Sequence, residues 1–197
     1  MRSPEQWIEI LAPHDVENER HAMAMFAVLG QPASYLDVGS GTGAMVNLAR
    51  KLGVDAYGLD QVPRQEAHLM LHDLRKPFAF KTRFQLVSCI EVAEHIPEKE
   101  IGPLLASCAK HVAEGRYLVW SAAHPGQSGD DHGTLWPAYK WRDEFHLLGM
   151  TWNEYMTLRL ATVWRMLPTP LMWLAENVQV FTREVATATS LEPEEEK

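Results

Sequence analysis

Two short stretches hold the residues best suited to chemistry. One is Asp37-Val38-Gly39-Ser40-Gly41-Thr42-Gly43. The other is Glu91-Val92-Ala93-Glu94-His95, followed downstream by His124 and His132. In the first, glycines let the backbone turn tightly and approach a ligand with no Cβ in the way. The apolar periodicity that follows predicts a helix, whose N-terminus offers unpaired N–H groups and a positive dipole. Such a loop suits a nucleotide-like ligand. In the second stretch, carboxylates and imidazoles can bind cations or move protons near neutral pH.

Two ligands compete for the glycine loop. Gly39, Gly41 and Ala44 satisfy the G-x-G-x-x-A pattern of dinucleotide binding, a weak signal alone. Asp37 argues the other way. A carboxylate two residues before the first glycine is poorly placed beside an anionic pyrophosphate. It suits a ligand carrying an ammonium and a sulfonium group, and S-adenosylmethionine carries both. Asp60, at the end of the next predicted strand, can accept from ribose hydroxyls of either ligand. Asp73, in His72-Asp73-Leu74, can accept from an adenine amino group, or can serve a turn or helix cap.

These residues need elements to position them. Residues 4–29 read as one or two helices, stopped by Gly30-Gln31-Pro32. Ser34–Val38 reads as a strand, 44–52 as a helix with Gly53 at its end, 56–59 and 68–71 as strands, and Phe84–Ile90 as a strong strand. A helix carrying Leu104, Leu105, Cys108, His111 and Val112 precedes a strand over 116–122. Strands separated by helices predict a parallel sheet with crossovers. Further on, 136–148 and the spacing of Met156, Leu160, Val163, Trp164 and Leu167 read as helices. Met150–Trp152 and 178–182 read as strands. Pro168-Thr169-Pro170 breaks the second of these helices. Six of the seven tryptophans lie between residues 120 and 173, and read either as core and helix-packing residues or as an aromatic wall or lid over a substrate.

Composition narrows the classes. The 197 residues are 46% apolar and 22% charged, ordinary for one globular domain, here expected over 1–185. Residues 186–197 form an acidic tail expected to be disordered. No apolar run reaches the ~18 residues of a membrane span. Nor does the N-terminus have the layout of a signal peptide. Cys89 and Cys108 share no metal-type spacing, so a reduced, cytoplasmic setting is expected. The net charge of −8 counts against nucleic acid and toward a small-molecule acceptor. The sequence carries no sign of oligomeric state.

The motifs Asp37 to Gly43, Gly58-Leu59-Asp60, His72-Asp73-Leu74 and the run from Phe84 to Ile96 occur in order. Together, over about residues 34–123, they resemble the successive motifs of class I S-adenosylmethionine-dependent methyltransferases. The segment from His124 to His132 is similar to one in some phage and bacterial methyltransferase-like proteins. The resemblance implies an α/β fold, a three-layer Rossmann-like sandwich with a mostly parallel seven-stranded sheet and an antiparallel last strand. It implies that Asp37, Gly39, Ser40, Gly41, Thr42 and Gly43 hold the methionine part. Asp60 would hold the ribose, Gln61, Asp73 and Leu74 the adenine, and Ile90 and Glu91 would flank the cofactor. The acceptor would be a small molecule or sugar methylated on oxygen or nitrogen. The N-terminal helices and residues 153–175 would shape its pocket.

Because placement supplies most of the rate of methyl transfer, a base is needed only when the acceptor must lose a proton. His124, His95 and His132 are the candidates. Each also has a plain reading as a residue that orders its loop. Glu91, Glu94, His95 and His124 or His132 would make a mixed oxygen and nitrogen set for a divalent ion. Such a set is similar to one in some ubiquinone-pathway and small-RNA 2′-O-methyltransferases. The segment also occurs without metal, so the expectation is a metal-free site. The alternatives are a non-catalytic cofactor-binding subunit, a metal-assisted RNA 2′-O-methyltransferase, and a nucleotide-dependent dehydrogenase.

Overall fold

The computed structural model describes residues 3–129, 131–168 and 171–185. The acidic tail at 186–197 therefore lies outside the described residues. Seven strands form one sheet: β1 Ser34–Val38, β2 Asp55–Asp60, β3 Leu69–Leu71, β4 Phe84–Ile90, β5 Val112–Ser121, β6 Met150–Trp152 and β7 Gln179–Arg183. Their order is β3-β2-β1-β4-β5-β7-β6. Strands β1 to β5 pair in parallel, and β7 runs antiparallel to both β5 and β6. Helices over 44–51 and 102–111 cross from β1 to β2 and from β4 to β5, loops link β2 to β3 and β3 to β4, and the near-continuous apolar run of β4 is that of a strand covered on both faces.

The described residues form seven α-helices: α1 Pro4–Leu11, α2 Asp15–Leu29, α3 Ala44–Lys51, α4 Gly102–His111, α5 Ala138–Leu147, α6 Glu154–Arg165 and α7 Met172–Asn177. The core is split by the sheet into two clusters. One holds Phe84, Leu104, Cys108, Trp120, Trp141 and Phe145; the other holds Met25, Phe26, Val46, Leu160, Trp164 and Leu174. The result is the expected three-layer sandwich with an antiparallel last strand.

The N-terminal segment is two helices joined by a 3-10 turn over Ala12–His14. Ser3 caps α1 reciprocally with Gln6, and Pro4 opens it, a sequence-encoded start. The helix expected over 136–148 starts later, at Ala138, because Pro137 stands in extended conformation as its cap. Strand β5 begins earlier than expected, at Val112; its exposed stretch over 114–116 lacks apolar alternation. The helix before the predicted break ends at Arg165, and Thr169 and Pro170 lie outside the described residues. Among the described residues no helix is long and apolar enough to cross a membrane.

Candidate functional site

Strands β1, β2 and β4 end together at one edge of the sheet, and the candidate residues gather there. Gly39 lies in the left-handed region at φ 84°. A Cβ on it would fall 2.1 Å from a Val92 methyl, so both backbone and packing require glycine. The Gly39 and Ser40 amides donate to the Leu59 carbonyl at 2.7 and 3.0 Å, tying the loop to β2. Asp60 closes it from the other side: its Oδ2 accepts from the Gly41 amide at 2.8 Å. Thr42 Oγ1 donates to Asp15 at 2.5 Å, which fixes the loop against α2.

Two cavities meet over this loop. The larger, about 300 Å³, is lined by Asp60, Gln61, Asp73, Leu74, Ile90 and Glu91, with Trp7, Leu11 and His95 on its opposite walls. The smaller, about 140 Å³, is lined by Asp37, Ser40, Gly41 and Thr42, with His14, Asn18, Leu171 and Trp173 toward its rim. Leu11, Gly39 and Ile90 line both. A ligand with a polar amino-acid end and a nucleoside end fits this division.

The electrostatics agree with a cationic ligand end. Asp37 is buried, accepts from Ser88 Oγ at 2.5 Å, and is pushed up to about 6 by burial. Among the residues lining the smaller cavity there is no lysine or arginine. Burial also raises the Asp60 carboxyl. Asp73 is held by a two-pronged Arg75 contact at 2.8 and 2.9 Å, which lowers its carboxyl.

The sequence-predicted chemical residues divide. Glu91, at φ 53°, lines the larger cavity. Glu94 lies behind it, 1% exposed, its carboxyl pushed up to about 8 by burial and by the Glu91 charge. The rings of His95 and His132 lie 5.3 Å apart, and the Trp7 ring stands edge-on to His95 at 5.0 Å. Ligand atoms of Glu94, His95 and His132 all fall within 4.8 Å of one another. His124 is exposed and lines neither cavity; its Nδ1 lies 2.8 Å from the Pro125 carbonyl oxygen, and its charge acts on the Glu91 carboxyl. Of the metal set weighed from the sequence, Glu94, His95 and His132 lie together, while Glu91 is engaged by Ser121 and Asn177.

Sequence reasoning expected the N-terminal helices at the pocket without singling out Trp7 or Leu11, and it missed Asn177 and the short helix α7 as an element. Trp7 and Leu11 carried only an apolar helix-face signal. Asn177 carried none, since α7 is six residues long without a capping signature.

Sheet order, glycine loop and the acidic residues closing β1 and β2 together define a class I, S-adenosylmethionine-dependent methyltransferase. Residues 12–178 match the family model described as a methyltransferase domain, and the chain belongs to that family. No curated protein sequence matches it. Solved structures share the fold at low identity. A sugar N-methyltransferase of Streptoalloteichus sp. is 17% identical, with TM-score 0.61 over 86% of this chain and 87% of that one. An amino pentose methyltransferase of Micromonospora echinaspora is 16% identical, with TM-score 0.60 over 85% and 90%. The 1,6-didemethyltoxoflavin N1-methyltransferase of Burkholderia thailandensis is 13% identical, with TM-score 0.63 over 94% and 92%.

Proposed function

We propose that this enzyme transfers a methyl group from S-adenosylmethionine to an oxygen or nitrogen of a small molecule or sugar. The observation that carries the reading is the pair of cavities meeting at Gly39, one walled by Asp37 and the other by Asp60 and Asp73. Asp37 and the loop from Gly39 to Gly43 take the amino-acid end. Asp60 takes the ribose hydroxyls. Gln61, Asp73 and Leu74 meet the adenine, with Ile90 and Glu91 against the middle of the ligand. When bound, S-adenosylmethionine supplies an electrophilic methyl on a sulfonium. The protein's part is placement and exclusion of water, and Trp7 and Leu11 roof the site for that purpose. His95 lines the larger cavity and is the candidate to take an acceptor proton, with the His132 ring 5.3 Å from its own. The fold-sharing enzymes that act on sugars and a heterocycle support a small-molecule acceptor.

The test is calorimetric titration with S-adenosylhomocysteine, with NADH as control. One-to-one binding of the first alone, lost in Asp60→Ala, is the expected result. Binding of NADH alone would replace this reading with the dehydrogenase.

A metal-assisted form of the same transfer has one specific observation in its favour. Glu94 Oε2 and His132 Nδ1 are buried without a hydrogen-bond partner, and both residues belong to the cluster with His95. Buried polar atoms are normally satisfied. A divalent ion bound there would raise Tm on addition of Mn2+ or Zn2+ in the wild type and leave His132→Ala unmoved. No shift in the wild type disposes of the metal.

A further inference from the structure

In S-adenosylmethionine the sulfonium joins the amino-acid end to the nucleoside end. In the binding mode proposed above, on which this inference rests, it must lie where the two cavities meet, at Leu11, Gly39 and Ile90. Glu91 follows Ile90 directly and lines the larger cavity. Its backbone sits at φ 53°, a region that non-glycine residues seldom adopt. Strain of this kind persists only where surrounding contacts enforce it. Here they do. The Glu91 amide donates to the Ser121 carbonyl at 3.0 Å, and Ser121 Oγ donates to Glu91 Oε1 at 2.8 Å.

The third contact comes from the helix that leads into β7. Asn177, the last residue of α7, is 7% exposed. Its Nδ2 donates to Glu91 Oε1 at 3.1 Å and to Gln127 Oε1 at 2.9 Å. One side-chain amide thus uses both of its hydrogens, one on β4's end and one on the loop that follows β5. Nδ2 also approaches Glu91 Oε2, at 3.4 Å. Among the residues lining the two cavities Arg75 is the single Lys or Arg, and it is paired with Asp73. No unpaired lysine or arginine on the cavity walls opposes the Glu91 charge, and the cationic influence on it comes from His124, outside those walls.

We propose that Asn177 is a positioning residue that aims the Glu91 carboxylate at the junction of the two cavities, where the transferred methyl lies. The carboxylate then opposes the positive charge at that point. A plain structural role for Asn177 would affect stability and every ligand alike. An aiming role affects only ligands that carry a charge at the methyl position.

Sinefungin tests this, because it carries an amine-bearing carbon where S-adenosylmethionine has its methylated sulfonium. S-adenosylhomocysteine is neutral there. Calorimetry on the full chain should show sinefungin bound about tenfold or more tightly than S-adenosylhomocysteine, the value of one charge-assisted hydrogen bond. In Asn177→Ala the preference should shrink to within about threefold while S-adenosylhomocysteine still binds, less than ~0.7 kcal/mol apart. Glu91→Gln, with the same shape and no charge, should lose the preference too. Gln127→Ala leaves the Asn177–Glu91 contact in place and should keep it. A full preference in Asn177→Ala overturns the inference, as does a wild type that binds both compounds equally. A wild type that binds neither overturns the cofactor reading itself, and the inference with it.

Discussion

Asp37 serves two opposed demands. Burial favours its neutral form, and a ligand ammonium favours its charged form. Its carboxyl is raised to about 6, above its unfolded value, so the stabilising, protonated state is complete at low pH. That stability is lost as pH rises through about 6, because ionising a buried carboxylate opposes folding even with Ser88 and Tyr35 hydrogen-bonded to it. Asp37→Asn should therefore raise the Tm of the free protein at pH 8, as read by differential scanning fluorimetry. The same substitution should weaken S-adenosylhomocysteine about tenfold or more, the loss of a charge-assisted bond. In the wild type that affinity should fall as pH drops below about 6, and in Asp37→Asn it should stay flat. An affinity independent of pH in the wild type would remove Asp37 from the ammonium site. Residues of this kind were legible in the sequence, because a carboxylate before a glycine turn is a local signal. Asn177 was not: it meets Glu91 only after the chain has returned from 86 residues away. His124 was equally opaque in the other direction, since nothing local says that its ring meets the Pro125 carbonyl and forms no part of either cavity wall.

Among the elements, α1 and the 3-10 turn after it do more than pad the N-terminus. Leu11 reaches the glycine loop, where a Cβ on Gly41 would come within 2.8 Å of its Cδ1. Trp7 closes the larger cavity beside His95. A ligand in both cavities is then roofed by a short helix with few buried side chains, the kind of segment that opens locally. Leu11→Ala and Trp7→Ala should each speed S-adenosylhomocysteine release in stopped-flow displacement, by about tenfold for one lost apolar contact of 1–2 kcal/mol. Unchanged release rates would mean the ligand leaves by another path. The order of strands and helices through β5 followed from periodicity and turn residues. Helix α7 escaped because six residues give less than two helical turns of pattern, and its place is set by Leu174 and Ala175 packing into the core.

At the scale of the molecule, the sheet divides a core that Trp120 anchors on one side and Trp164 on the other, both fully buried. Trp120→Ala should cost about 3–5 kcal/mol in urea unfolding, as large core truncations do. A net charge of −8 makes a tight RNA complex at physiological salt unexpected. Anisotropy with a labelled 20-nucleotide RNA, roughly the length of a small RNA, should show no saturable binding at micromolar protein. Charge and layer architecture were legible from composition and periodicity alone, whereas the way both cavities share Gly39 needed three strands to end side by side. The strand order has a consequence in time. Strand β6 joins the sheet only through β7, which is made about two dozen residues later. At roughly 5–20 residues per second, a ribosome leaves Met150–Trp152 and α6 without their sheet partner for about one to five seconds. The cofactor loop, finished long before, can form during that wait; the wall that carries Asn177 cannot.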